Sequence, residues 1–234
     1  MICCRGGSKT IKNKNIKSFF GKPLIYWAIN NAKKSNIFDE IILSTDSNKI
    51  KVLAEKFGAS CPGLRPKHLS GDSSDQFETH KYIFKKLNFN SHNSIICILN
   101  NNPFIDFKLL RKSFNIFKKY KFNKIVTDCA KVSGDYIFFK QFFFKNHLSN
   151  YVNKSIFLGS KINRQSLASL YVNIFNIRWA KPDILSNYDL FKKNLLIKKN
   201  HMPIFLNKLQ NFDIDDLEDW KIAETIFSRL IMNK

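Results

Sequence analysis

The chain has 234 residues, 44% of them hydrophobic, and a formal net charge of +21 at pH 7. This length is typical of one α/β domain with a sizeable core, and the absence of any run of 18 apolar residues argues against a membrane span. A basic excess can indicate nucleic-acid binding, but the lysines are scattered and no nucleic-acid-binding signature is present, so we expect neither nucleic acid nor a membrane as the main partner.

Five cysteines are present, and none forms a CxxC pair or a zinc-binding spacing. An odd number without a framework favours reduced core thiols. The first residues, MICCRGGSK, lack the zones of a signal peptide. A cytoplasmic protein is therefore expected.

The first 130 residues alternate short apolar runs with helical patterns. A short strand at 2–4 precedes a loop, and later strands are predicted at 40–45, 94–99 and 124–127. The predicted helices cover residues 23–35, 48–57, 76–87 and 107–120. This alternation predicts βαβ units and a mostly parallel sheet, with ligands bound beyond the carboxyl ends of the strands.

The alternation is interrupted between residues 132 and 167. Aromatic, strand-like pieces occur there without a long helix between them, which predicts an inserted β arm at about 133–165. Residues 171–177 are predicted to return to the main sheet, and the last helix to cover 217–232, where an apolar stripe recurs at helical spacing. The whole chain, 1–234, is expected to form a single domain.

The loop after the first strand, CCRGGSKTIKNKN, combines glycines with cations. Two glycines allow close approach of the backbone to a phosphate, and consecutive N–H groups can form an anion-binding nest. Arg5, Lys9 and Lys14 can neutralise a triphosphate. Neither GxxxxGK[ST] nor GxGxxG is present, and a basic surface turn would have a similar composition.

Four segments in order make the pattern specific. RGGSK-x-x-x-x-KN at the amino end, GKPLIYWAINNAKKSNIFDEIILSTDS, GASCPGLRPKHLSGDSS and FDIDDLEDWKIAE together resemble the acylneuraminate cytidylyltransferases, the CMP-sialic acid synthetases. The resemblance is nearly collinear over the chain, with gaps in the middle.

The resemblance implies a Rossmann-like nucleotidyltransferase fold, with a mostly parallel sheet flanked by helices and a small inserted arm for dimerisation. It also implies the reaction. CTP and a nine-carbon acidic sugar are the substrates: the anomeric C2 hydroxyl of the sugar attacks the α-phosphate of CTP, and pyrophosphate leaves. Mg²⁺ would bridge the phosphates and offset their charge, and the protein would act as a homodimer.

The same resemblance assigns the nucleotide site. Lys14 would face the phosphates and stabilise the transition state, although without the family resemblance a solvated charge in a lysine-rich loop is the favoured interpretation. Arg65 would help to fix the cytidine and Asn15 would help to hold the nucleotide. The residues that would cradle the triphosphate are Arg5, Gly6, Gly7, Ser8 and Lys9.

Asp213 and Asp215 are the predicted metal ligands. Alternate residues of a strand point to the same side, so both carboxylates could converge on one Mg²⁺, which prefers oxygen ligands. The alternative is an acidic helix N-terminus. Both interpretations hold together if Asp216 provides the cap of the last helix.

The chain departs from the family pattern around the sugar. The loop LNNNPFI, residues 99–105, replaces Gln-Pro-Thr-Ser-Pro-Leu-Arg, but Asn101 and Asn102 keep polar side chains for sugar binding. Arg164 and Gln165 survive from a sugar-carboxylate motif, where Arg164 would bind the carboxylate by a fork or be a surface charge. In SGDSSDQ, Asp72 and Ser73 are kept, whereas Gln76 replaces a small residue.

Three further functions stay open at this point. The eroded sugar loops are also compatible with a nucleotide-binding pseudoenzyme. A ketodeoxyoctonate cytidylyltransferase would use the same chemistry on a related sugar. A nucleic-acid-binding protein would show salt-dependent binding to polynucleotide without a preference for CTP. The preserved phosphate loop and the Asp-x-Asp pair favour an active enzyme for a sialic, legionaminic or pseudaminic type of sugar.

Overall fold

The computed structural model describes residues 1–71, 73–131, 142–145, 148–151, 171–197 and 199–232. Its strands are β1 (Ile2–Cys3), β2 (Ser18–Phe19), β3 (Lys22–Pro23), β4 (Leu43–Ser44), β5 (Ile96–Leu99), β6 (Ile125–Lys131), β7 (Phe142–Lys145), β8 (Leu148–Tyr151), β9 (Tyr171–Ala180) and β10 (His201–Phe205). Its helices are α1 (Leu24–Ser35), α2 (Asn48–Lys56), α3 (Gln76–Lys86), α4 (Phe107–Lys119), α5 (Pro182–Leu185), α6 (Tyr188–Leu196) and α7 (Leu217–Met232).

A six-stranded mixed sheet organises these elements in the order β10-β6-β9-β5-β1-β4. Strand β1 runs parallel to both β4 and β5, and β10 runs parallel to β6. Strand β9 is antiparallel to its two neighbours, β5 and β6. The predicted α/β architecture with a mostly parallel sheet is confirmed, and so is the return of the chain to this sheet after residue 170.

Helices cover both faces of the sheet, because successive strand residues point to opposite sides. On β5, Cys97 and Leu99 pack with α1 and α4 in one core cluster. Ile96 and Ile98, one residue out of phase, pack instead with α3, α5 and α6 in another. A third cluster joins α7 to the segment after β1 through Phe19, among others.

The helix ends follow local sequence signals. Ser47 accepts a hydrogen bond from the Ile50 N–H at the start of α2, and Asp106 accepts one from the Leu109 N–H at the start of α4. Gly58 follows α2 with a φ of +97°, a conformation that favours glycine. The predicted helices therefore lie within one or two residues of the observed ones.

Strands β7 and β8 pair with each other as an antiparallel two-stranded sheet. They fall within the predicted arm at 133–165, most of which lies outside the described residues. Dimerisation through this arm stays a prediction. The elements α5, α6 and β10 were not predicted from the sequence.

Candidate active site

The glycine-rich loop begins at the carboxyl end of β1. The carboxylate of Asp46, which follows the neighbouring strand β4, accepts a hydrogen bond from the Gly6 N–H at 2.7 Å. A Cβ atom at position 6 would lie 3.0 Å from Cβ of Ser47, which explains the glycine. The hydrogen bond from the Gly6 N–H to Asp46 attaches the loop to the carboxyl end of β4.

An amide network fixes the far end of the same loop. Asn13 adopts a left-handed conformation with a φ of 57°, and a 3₁₀ turn, Lys14–Ile16, follows it. The Asn15 side chain donates from Nδ2 to the Arg5 carbonyl at 2.8 Å. Asn101, in the loop after β5, donates from its own Nδ2 to Oδ1 of Asn15 at 2.9 Å. The loops after β1 and β5 are thereby joined.

These loops enclose a cleft of about 390 Å³. It lies beyond the carboxyl ends of β1 and β5, where the sequence predicts ligand binding. It is lined by Cys3, Arg5, Ser8, Lys9, Thr10, Lys14, Asn15, Asn100, Asn101, Asn102, Asn176, Asp213 and Asp215. Nine predicted site residues are therefore brought together: Arg5, Ser8, Lys9, Lys14, Asn15, Asn101, Asn102, Asp213 and Asp215.

The Asp-x-Asp segment lines the cleft through its two aspartates and forms no β-strand. Asp213 and Asp215 are exposed on either side of Ile214, which is 3% exposed. Ile214 packs in the same apolar cluster as Ile11 of the glycine-rich loop. Burial of Ile214 therefore positions both carboxylates on the cleft and fixes this segment relative to the glycine-rich loop.

Asp216 caps the last helix, as the sequence suggests. Its Oδ1 accepts hydrogen bonds from the backbone N–H groups of Glu218 and Asp219 at 2.8 and 2.9 Å. Asp219 Oδ2 in turn accepts one from the Asp215 N–H at 2.9 Å. This reciprocal arrangement leaves the carboxylate of Asp215 outside the cap.

Asn102 has a structural role that the sequence did not reveal. It is 5% exposed, its Nδ2 donates to the Phe212 carbonyl at 3.0 Å, and its Oδ1 accepts from the Phe104 N–H at 2.9 Å. Asn102 thus ties the loop after β5 to the residue just before Asp213. A contact between Asn102 and the sugar stays a prediction.

Arg65 lies in a second pocket of about 250 Å³ that shares Cys3, Arg5 and Asn100 with the cleft. The Arg65 N–H donates to the Thr45 carbonyl at 2.7 Å, so its loop is attached at the end of β4. Cys3 lines both pockets. Burial raises the pKa of its thiol, so Cys3 stays protonated and is not suited to act as a nucleophile.

Some predicted residues are not placed around the cleft. Gly6 and Gly7 shape the loop but are not among the residues that line the cleft. Arg164, Gln165 and Asp72 lie outside the described residues. The sequence prediction also missed Asn100, Asn176 and Arg178. Arg178 could have been noticed as the charged side chain of β9, and Gln76 as a departure from the family pattern.

Another cavity of about 390 Å³ lies at the amino ends of β1 and β5, around Met1, Phe38 and Trp179. Its ionisable lining consists of the Met1 amino group, Asp39, Glu40 and Cys97, a set without the lysines and arginines that would bind phosphates. The cations that could bind phosphates therefore line the cleft at the carboxyl ends of the strands rather than this cavity. Over the described part of the chain, no helix is long and apolar enough to cross a membrane.

Comparison with known proteins identifies the family of this chain. Residues 1–166 match the family model described as cytidylyltransferase. The CMP-N,N'-diacetyllegionaminic acid synthase of Legionella pneumophila is 30% identical over 233 residues, which is 97% of this chain and 94% of that protein.

The pseudaminic acid cytidylyltransferase of Campylobacter jejuni is 37% identical over 119 residues, or 50% of this chain. The match spans about half the length of this relative and of several other curated relatives.

A solved structure shares the fold. It is a CMP:2-keto-3-deoxy-manno-octonic acid synthetase complexed with CTP, with a TM-score of 0.69 and 13% identity, and the match covers 97% of both chains. At this identity the likeness concerns the fold alone. The family model and the Legionella relative establish the family: the chain belongs to the cytidylyltransferases.

Proposed function

We propose that this chain transfers CMP from CTP to the anomeric C2 hydroxyl of a nonulosonic acid of the sialic, legionaminic or pseudaminic type. The observation that carries the proposal is a single cleft in which the cations of the glycine-rich loop face the two carboxylates of the Asp-x-Asp segment. Relatives of this chain are named as synthases or transferases for CMP-linked sugars of these types.

The cations act on the phosphates of CTP. Arg5, Lys9 and Lys14 line the cleft, and their positive charge favours binding of a triphosphate and stabilises the negative charge that develops as pyrophosphate leaves. The sugar hydroxyl oxygen forms a bond to the α-phosphorus while the bond to the bridging oxygen of pyrophosphate breaks. Such a transfer depends on positioning and charge stabilisation rather than on a covalent intermediate.

Asp213 and Asp215 would hold Mg²⁺. Two exposed carboxylates that line one cleft form a hard oxygen donor set, and Mg²⁺ typically uses one or two carboxylates with waters and substrate phosphates. The described residues contain no group of three or more His, Cys, Asp or Glu suited to a metal, as expected for an ion shared with a nucleotide. When bound, Mg²⁺ would offset the phosphate charge.

Asn101 would face the second substrate. Because its Nδ2 is committed to Asn15, its Oδ1 faces away from that bond, and this buried oxygen has no hydrogen-bond partner among the described residues. An unpaired acceptor on the cleft suits a hydroxyl donor such as a sugar or ribose hydroxyl. Arg164 and Gln165 lie outside the described residues, and their proposed contact with the sugar rests on the family resemblance.

We place the reaction in the cytoplasm, which agrees with five free cysteines, and propose a homodimer formed through the arm. The runner-up is a nucleotide-binding pseudoenzyme of the same family. The presence of loop cations and both acidic residues on one cleft favours turnover over binding alone.

The deciding measurement is pyrophosphate release by the purified protein with CTP, Mg²⁺ and a panel of nonulosonic acids and ketodeoxyoctonate. ATP, GTP and UTP serve as nucleotide controls. Release that requires CTP and one nonulosonic acid would establish the reaction. CTP binding without release from any sugar would favour the pseudoenzyme, and no CTP binding would refute the proposed function.

A further inference from the structure

The second pocket, defined by Arg65, Gln76 and Arg178 among its lining residues, is continuous with the cleft. Cys3, Arg5 and Asn100 line both. A nucleotide whose phosphates lie beside Arg5 can therefore extend another part of the molecule into this pocket. Its volume of about 250 Å³ suits a small group such as one ring.

Arg178 is the unusual residue of this pocket. It lies on β9 opposite Ile98 of β5, within the sheet, and is 5% exposed. Burying a guanidinium group is costly unless it is paired. Arg178 Nε and Arg65 Nε are both buried without a hydrogen-bond partner among the described residues. Both arginines line the same pocket, and their incomplete hydrogen bonding favours a ligand that supplies acceptors to the two guanidinium groups.

Two neighbours hold Arg178 in place. Its Nη1 donates to the side-chain oxygen of Gln76, at the first residue of α3. The buried carboxylate of Asp128 accepts hydrogen bonds from the N–H groups of Asn176 and Ile177 at 3.0 and 2.8 Å. Its negative charge stabilises the guanidinium. The donor is thus pre-positioned before any ligand arrives.

Three other polar side chains of the pocket are committed to the protein. His80 Nδ1 donates to the Leu185 carbonyl at 2.8 Å. Thr79 Oγ1 bonds to the Asp75 carbonyl at 3.2 Å, and Ser74 Oγ to the His68 carbonyl at 3.1 Å. Arg65 and Arg178, each with an unpaired Nε, are therefore better suited than these three side chains to donate to a ligand.

The donor pattern selects between pyrimidine bases. Cytosine carries two adjacent acceptors, N3 and O2, on its pairing edge, whereas uracil carries an N–H donor at N3. Two guanidinium donors match the first pattern and oppose the second, and a buried mismatch of this kind discriminates strongly.

We propose that Arg178 is a specificity-determining residue for the nucleotide, donating together with Arg65 to the N3 and O2 edge of cytosine, with Gln76 as the residue that positions Arg178. The inference rests on the proposed function, since it requires CTP in the adjoining cleft.

The test compares the dissociation constants of CTP and UTP by calorimetry, together with the KM values for CTP and sugar. The variants are Arg178→Met, Arg178→Lys and Gln76→Ala. Arg111→Met is the matched control, because Arg111 is committed to the Ser35 and Lys34 carbonyls on another part of the surface. Thermal unfolding monitored by circular dichroism shows which variants are folded.

We expect Arg178→Met to weaken CTP binding by about 10- to 100-fold, the effect of losing one hydrogen bond to a charged group, with little change for UTP. Arg178→Lys should not restore the preference, because lysine lacks the planar fork. Gln76→Ala, at an exposed position, should reduce the preference several-fold. Arg111→Met should behave as wild type.

An unchanged CTP preference in folded Arg178→Met would refute the inference while the proposed function stands. So would a rise in the KM for sugar alone, which would place the sugar carboxylate in this pocket. If Arg178→Met does not fold, an unchanged preference of Gln76→Ala for CTP over UTP would refute the inference. A wild-type protein that binds no CTP would refute the proposed function as well.

Discussion

Asn101 donates a hydrogen bond from its side-chain nitrogen to Oδ1 of Asn15 at 2.9 Å, and this bond joins the loops that follow β5 and β1. Asn15 is fixed in turn by its own bond to the Arg5 carbonyl. Because the Asn101 side-chain amide is planar and its nitrogen donates to Asn15, the amide oxygen points away from Asn15. A loop that departs from the family sequence therefore still presents a defined acceptor.

Asn101→Ala tests this arrangement. The substitution removes the unpaired acceptor and the tie to Asn15, so we expect kcat/KM for the sugar to fall by about 3- to 10-fold, the value of one neutral hydrogen bond. Asn93→Ala, in an exposed loop away from the cleft, is the control. Equal kinetics for the two variants would remove Asn101 from the substrate site.

Asp213→Asn and Asp215→Asn test the metal assignment. Each removes one negative oxygen ligand, and we expect Mg²⁺-dependent turnover to fall by more than about 100-fold while the fold is retained. The strengthening of CTP binding by Mg²⁺ should be lost as well. Full activity in both variants would overturn the assignment.

Asp216→Asn is the matched control for these two substitutions. Asp216 belongs to the same acidic run but caps α7, and asparagine is an equally good cap. We therefore expect Asp216→Asn to keep both Mg²⁺ dependence and stability.

The elements that sequence patterns predicted well are those governed by local signals. Helix α4, for example, combines an aspartate cap with an apolar stripe, and its bounds were predicted to within one residue. The rule that ligands bind at the carboxyl ends of parallel strands predicted the position of the cleft, and the family resemblance implied that Lys14 and Asp215 meet there. The family resemblance supplied the roles.

Arg178 could not be predicted in the same way. Its hydrogen-bond partner Gln76 is 102 residues away in the sequence, and its strand β9 is antiparallel to both neighbours, so its register depends on tertiary pairing. A register shift in the β6–β9 pairing between Thr127 and Cys129 places Asp128 against the β9 backbone. No periodicity in the sequence marks such a shift.

Gly6→Ala tests the geometry of the phosphate loop. The added Cβ would meet Ser47 Cβ at 3.0 Å, so either the loop or the β4 end must shift. A displacement of this kind near reacting groups should lower kcat/KM for CTP by about 10- to 100-fold. The measurement is steady-state pyrophosphate release at saturating sugar.

Gly7→Ala is the natural control for Gly6→Ala. Nothing lies within 4 Å of a Cβ built at position 7, and the residue is exposed. We expect kinetics close to wild type. An equal loss in both variants would indicate that the loop needs glycine flexibility rather than the specific contact with Asp46 and Ser47.

His80 should make the folded protein sensitive to acid. It is 1% exposed, and burial, aided by the charge of Arg178, lowers the pKa of His80 from 6.5 to about 3. The unfolded chain binds this proton near pH 6.5, whereas the folded protein does not until near pH 3. The free energy of unfolding should therefore decrease as the pH falls through this window, by at most about 1.4 kcal/mol per pH unit from this group.

His80→Asn isolates this contribution, because asparagine keeps an N–H donor for the Leu185 carbonyl but does not titrate. Urea unfolding of both proteins at several pH values between 7 and 4 gives the free energy of unfolding for each. We expect the advantage of the wild type over the variant to be constant above about pH 6.5 and to shrink steadily below it. Because burial also raises the pKa of Asp128, only this difference between the two proteins reports on His80. Parallel curves throughout the range would show that His80 binds its proton equally well in the folded and unfolded protein and that its burial carries no acid sensitivity.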